Sequence, residues 1–232
     1  MLQAGVPRDQ LFFTSKVPTK NLSYESARAA VDASLAATGL TYIDLYLLHA
    51  PYGGTEARIG AWRALVEAVR EGKVRSIGVS NYGVHHLNEL EQWQHVSRTA
   101  DRSQHRPQEE AGVLSVNQVE LHPWLARPDI VQWCKDRDVV LQAYSPLVRN
   151  TRATDPLLTP LAHKYQRTPT QILLRWGLQK GFVILPKSVT RSRMEENRSL
   201  YDFALSPEDM AGLETKEYAP CTWDPTVAPL SG

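Results

Sequence analysis

Apolar residues switch between two spacings along the chain, and each switch marks an element. Residues 11–17 form a short apolar run that turns polar at Thr14-Ser15-Lys16, as a strand reaching its end would. Ala27, Ala30, Val31 and Leu35 then recur at helical spacing. Ser23 is placed to accept from the free amides at that helix's start, and Gly39 to close it in the left-handed conformation. Residues 42–49 read as a second strand, and 59–71 as a helix with Trp62, Leu65, Val66 and Val69 on one face, stopping at Gly72. Further strands are predicted at 76–79, 114–119, 139–143 and 182–185, alternating with helices over 87–93, 129–137 and 156–179. Thr168-Pro169 divides the last of these, being an N-cap followed by a first-turn proline. Ser206-Pro207-Glu208-Asp209 opens one more helix before a proline-rich tail.

Strand starts recur every ~25–45 residues, the spacing of βαβ units feeding a parallel sheet. Such a sheet is either doubly wound or closed into a barrel. A doubly wound sheet that binds nucleotides carries a glycine-rich first turn, and neither G-x-G-x-x-G nor G-x-x-x-x-G-K-[ST] occurs. Polar residues instead cluster at every strand end: Lys16, His49, Ser80-Asn81, Gln118, Tyr144-Ser145 and Lys187-Ser188. A barrel gathers such ends round one mouth. The expected fold is α/β, a (β/α)8 TIM-barrel type in a single domain over 1–232, with the polar stretch 97–112 as a loop insertion and 217–232 as a C-terminal tail.

Composition narrows the function classes. The 232 residues carry a formal charge of +1, with 42% hydrophobic and 22% charged residues, which is ordinary globular composition. Positive charge is too scarce for nucleic-acid or anionic-membrane binding to be the main task. Two cysteines, Cys134 and Cys221, supply neither a disulfide framework nor a four-thiolate zinc site. No apolar run approaches the ~20 residues of a membrane span, and the first residues lack a secretory apolar stretch. A reduced, soluble, cytoplasmic protein is expected.

The strand ends carry the candidate chemistry. An inward Lys16 would be desolvated and pushed towards its neutral form unless a carboxylate or phenol joined it. Ile43, Leu45 and Leu47 share a strand face with His49, so this apolar face ends in an imidazole. Lys187-Ser188-Val189-Thr190 ends the last strand and opens a helix with Arg191, Arg193, Glu196 and Asn197. Free amides at a helix start, hydroxyls and two arginines suit a phosphate. Tyr144 offers a flat face to an aromatic ring, and Ser80, Asn81 and Gln118 suit a carboxamide. No metal site is expected: the adjacent His85 and His86 should diverge on a helix, and no H-x-x-x-H or C-x-x-C pair exists. A G-x-S-x-G nucleophile elbow is also missing.

Six blocks in order now carry a resemblance: residues 12–16, 44–51, 72–81, 116–123, 143–147, and 185–190 with Glu196-Asn197. The chain resembles the aldo-keto reductase family, and its wording looks most like fungal members. The resemblance implies NADPH lying across a barrel mouth, reduction of a small-molecule aldehyde or ketone, and, by analogy with fungal members, a place in secondary metabolism. It implies that Lys16 and His49 match two of four active-site residues. Ser80, Asn81 and Gln118 match the carboxamide partners and Tyr144 the stacked ring, with Ser145 and Leu147 beside it. Lys187, Ser188, Val189, Arg193, Glu196 and Asn197 match the adenosine and 2′-phosphate pocket. The family's Asp and Tyr come from a D-[ST]-A-x-x-Y type motif ahead of the lysine strand, and no segment here matches it. The expectation is an N-terminally truncated barrel of about six βα units, with open edges that favour an oligomer or a partner. Tyr52, three residues beyond His49, is the substitute acid that the sequence offers. A non-redox isomerase or cyclase using the same cavity, and a nucleotide-binding regulatory module, are the competing readings.

Overall fold

A computed structural model describes residues 5–20, 22–100 and 111–231. It divides into two compact units, one running to Asn117 and resuming at Pro225, the other Gln118–Asp224. The first unit opens with strand β1 (Thr14–Val17), helix α1 (Tyr24–Thr38), strand β2 (Ile43–Leu48), helix α2 (Gly54–Arg70), strand β3 (Val74–Ser80) and helix α3 (Val84–Ala100). Its strands are parallel and in chain order. Lys16 pairs with Leu47, and Leu47 with Gly78. Strand β4 (Val116–Glu120) begins in this unit beside β3, where Ser115 N donates to Ile77 O at 3.1 Å. Glycine is required at Gly78, because a Cβ there would sit 2.4 Å from Val116 O.

Local chemistry explains the element ends. Ser23 and Ser26 form a reciprocal capping box at the start of α1, and Gly39 closes the helix at φ 67°. Every residue of β2 is buried, so this strand has covered faces on both sides. Trp62 of α2 is buried and donates Nε1–H to Ala111 O at 2.9 Å. Arg58, also buried, donates to Pro51 O (2.9 Å), to both oxygens of Glu89 (2.7 and 2.8 Å) and to Leu230 O (2.9 Å). One guanidinium thus holds the loop after β2 and the end of the chain.

The second unit continues β4 and adds helix α4 (Pro128–Lys135), strand β5 (Val140–Tyr144), helices α5 (Thr159–Tyr165) and α6 (Pro169–Gln179), strand β6 (Val183–Leu185), and helices α7 (Arg191–Arg198) and α8 (Pro207–Gly212). Gln142 pairs with Val183 in parallel register. Thr168 and Gln171 form a second capping box ahead of Pro169, and Ser206 caps α8 through the Asp209 amide. Buried Glu120 accepts from His122 Nε2 at 2.8 Å, from the Cys221 amide at 2.7 Å and from the Thr222 hydroxyl, and the Cys221 thiol adds a further bond.

Four expectations need correction. Helix α2 begins at Gly54, five residues before the predicted start, with Gly53 in the left-handed conformation as its cap. Helix α3 runs through 97–100, the opening of the predicted loop; the centre of that loop, 101–110, lies outside the described residues. Strand β1 starts three residues late, and Phe12 and Phe13 are exposed. The His85 and His86 rings do not diverge: their centroids are 3.8 Å apart. His85 Nε2 engages Ala228 O at 2.7 Å, and His86 Nδ1 accepts from the Gly83 amide at 3.1 Å.

Candidate active site

In the first unit, strand register brings three predicted residues to one face. Lys16 lies opposite Leu47, so its side chain shares the face of Leu45, Leu47 and His49. Leu48 pairs with Val79, which puts Ser80 beside His49 at the adjoining strand tip. Asn81 takes a left-handed backbone at φ 62°, a conformation asparagine tolerates better than most residues. From there its Nδ2 donates to His49 O at 3.0 Å and to Ser80 Oγ at 3.2 Å. On this same face, Leu45 and Leu47 form a buried apolar cluster with Val116.

The electrostatics of this tip disfavour positive charge. Burial pulls the Lys16 ammonium below its ordinary value of 10.5. Burial also pulls His49 below 6.5, and the nearby Lys16 charge adds to the effect. His49 is therefore a neutral imidazole at pH 7, able to donate one N–H and accept at the other nitrogen. Tyr52 is half-buried in the loop that Arg58 holds through Pro51.

The second unit carries the remaining predicted residues in two groups. Gln118 is buried in the middle of β4, not at the strand end where the sequence placed it, and donates Nε2–H to Gln142 Oε1 at 2.7 Å. Half-buried Tyr144 ends β5, and burial raises its phenol to about 12, so the ring is neutral. Its hydroxyl also engages Thr222, a partner from 78 positions further along the chain that no local pattern announces.

The other group surrounds a cleft of about 490 Å³ lined by Leu147, Arg149, Asn150, Thr170, Lys187, Ser188, Val189, Thr190, Arg193, Glu196 and Asn197. Lys187 and Arg193 are exposed there, while Glu196 is partly buried and accepts from the Thr168 hydroxyl at 2.6 Å. Ser188 Oγ accepts from the Thr190 amide at 3.2 Å and fixes the turn into α7. A solvent-facing concavity with three cations (Arg149, Lys187 and Arg193) and a helix start suits a phosphate-bearing ligand. Ser145 follows Tyr144 in a left-handed turn (φ 48°) ahead of Leu147, one of the cleft residues.

The profile of the Aldo/keto reductase family matches residues 1–217. An uncharacterized oxidoreductase of Schizosaccharomyces pombe is 41% identical, the match covering 99% of this chain and 77% of that protein. Glyoxal reductase of Bacillus subtilis is 40% identical, covering 91% and 70%. Among solved structures, an aldo-keto reductase from a deep-sea metagenome library is 33% identical with a TM-score of 0.80, covering 92% of this chain and 73% of that one. The Bombyx mori aldo-keto reductase in complex with NADP is 30% identical with a TM-score of 0.76, covering 95% and 73%. The six strands and their helices have the (β/α)8 TIM-barrel type of fold.

Proposed function

The chain belongs to the aldo-keto reductase family, and we propose that it is an NADPH-dependent oxidoreductase that reduces an aldehyde or ketone to an alcohol. The observation that carries this reading is the placement of Lys16 and His49 on one face of the β1–β2 sheet, where burial lowers both pKa values. A neutral imidazole at an apolar wall can donate a hydrogen bond to a carbonyl oxygen and hold its direction.

The residues divide the work by type. Lys187 and Arg193 supply charge for phosphate, and Ser188, Val189, Glu196 and Asn197 complete the adenosine end with Leu147. Ser80, Asn81 and Gln118 serve the carboxamide, and the Tyr144 ring, with Ser145 beside it, serves the nicotinamide face. NADPH, when bound, supplies a hydride to the carbonyl carbon. His49 orients the carbonyl oxygen, which needs one proton to become the alcohol. In its ammonium form, Lys16 lowers the pKa of the group that delivers it. Tyr52, half-buried three residues beyond His49, is the phenol this segment offers as acid.

Two measurements on the purified chain test the proposal. Titration with NADPH should enhance nicotinamide fluorescence saturably, with Lys187→Met or Arg193→Met weakening binding by about tenfold or more, the scale of one charge-assisted contact. Turnover of a generic aldehyde should fall ~10²–10⁴-fold in His49→Ala with NADPH affinity kept. Equal rates in wild type and variant would rule out the role given to His49. Saturable NADPH binding with no carbonyl turnover would instead favour the regulatory module.

A further inference from the structure

Next to Tyr144 and Ser145, which contact Thr222 and Cys221, the second unit brings three kinds of metal ligand to one buried point. A carboxylate oxygen of Glu120, an imidazole nitrogen of His122 and the Cys221 sulfur lie within 4.8 Å of one another. Glu120 and His122 are 0% exposed, and Cys221 is partly buried and free of any disulfide. His122 Nε2 donates to Glu120 Oε1 at 2.8 Å, and the Cys221 thiol also hydrogen-bonds this carboxylate. The other imidazole nitrogen, Nδ1, is buried with no hydrogen-bond partner among the described residues. The geometry points to a binding site for a borderline-soft divalent cation, zinc(II) foremost, held by Glu120, His122 and Cys221.

Donor chemistry selects the ion. Zinc takes oxygen, nitrogen and sulfur ligands at about 2.0–2.3 Å, which puts the donors about 3.3–3.6 Å apart round a tetrahedral ion. The Glu120–His122 contact, now 2.8 Å, would open to make room for the ion, while the Cys221 sulfur already lies within 4.8 Å of both. Magnesium and calcium demand six or more oxygens, and Glu120 with the Thr222 hydroxyl falls well short. Charge also balances, since a dication with one carboxylate and one thiolate leaves this buried point neutral.

Protons can be followed individually. The thiol proton of Cys221 leaves to solvent as the sulfur–metal bond forms. If Nε2 becomes the nitrogen ligand, the proton it gives up can move to Nδ1, which has no hydrogen-bond partner among the described residues. Uptake therefore releases one proton per ion. The Cys221 amide and the Thr222 hydroxyl remain on Glu120 to orient it, as outer partners do in metal sites. Glu120 and Cys221 stand 101 positions apart, so no short motif announces the set.

The full chain, stripped with a chelator under reducing conditions, is titrated with cobalt(II), whose thiolate complexes absorb in the near ultraviolet. The expected result is a thiolate band saturating at one cobalt per chain, displaced by zinc, with about one proton released per ion. Cys134→Ala should keep the band. Cys221→Ser should abolish it and weaken zinc binding by more than the ~10–100-fold cost of losing an outer partner. Should Cys221→Ser not fold, alkylation of Cys221 in the folded wild type replaces it, because Cys134 is buried. Absence of a thiolate band in wild type at saturating cobalt, or a band surviving the loss or blocking of Cys221, overturns the assignment.

Discussion

The last stretch of chain is shared between the two units, and each holds its part by opposite chemistry. In the first, residues 225–231 rest on the start of α3: Gly83 approaches Thr226 so closely that a Cβ would sit 2.1 Å from its carbonyl oxygen, and His85 engages Ala228 O. The titratable centre there is His86, fully buried and neutral. Burial first, then the neighbouring His85 and Arg58, outweigh Glu89 and the Ala228 carbonyl and depress it to about 4. In the second unit, residues 221–222 rest on Glu120, an ionised carboxylate. Burial opposes its charge, but His122, Cys221 and Thr222 together hold it at about 2. A neutral base and a fully solvated-by-protein anion therefore do the same mechanical job, and they should fail under different conditions.

Removing the anion's acceptor atoms should have the largest effect. Glu120→Ala strands the donors of His122, Cys221 and Thr222 in a buried place, and is expected to cost about 3–5 kcal/mol in denaturant melts. A variant within 1 kcal/mol of wild type, on the order of one ordinary hydrogen bond, would mean that solvent reaches the carboxylate.

Acid comes next, and it should separate the two anchors. The folded-state pKa of His86 lies below its ordinary 6.5, so the unfolded chain binds the proton more readily. Its contribution is complete above 6.5 and is lost as pH falls through about 4, up to about 3 kcal/mol. Glu120, also depressed, contributes fully above the ordinary carboxylate value of 4.5 and loses that only as pH falls towards about 2. Melts from pH 7 to 4 should therefore show a decline that His86→Gln flattens. An unchanged slope in that variant would place the acid-sensitive group elsewhere.

The smallest effect is steric. Gly83→Ala should displace 225–231 at a cost of about 1–3 kcal/mol and raise amide exchange there while leaving 221–222 protected. Equal loss of protection in both stretches would show that the two anchors are one cooperative element.

What the sequence disclosed follows how local each interaction is. Ser23, Gly39, Thr168-Pro169 and Ser206 were readable because a cap is made by residues three or four apart. The start of α2 was hidden because Gly53-Gly54 has the composition of a turn; here the left-handed Gly53 is itself the cap. Lys16 and His49 stood out as polar ends of apolar strands, and their shared face follows from register. The extent of α3 was obscured by a polar surface that carries little periodic signal. Glu120 was invisible as a site residue because its donors other than His122 come from far along the chain.

That separation matters during synthesis. At ~5–20 residues per second, a ribosome needs about 5–20 s to travel the 101 positions from Glu120 to Cys221. For that interval the nascent chain owns a carboxylate destined for burial but lacks most of the groups that make burial tolerable. The second unit thus has reason to stay loosely assembled until translation is nearly finished, and a stall shortly before codon 221 would leave it waiting for its closing piece.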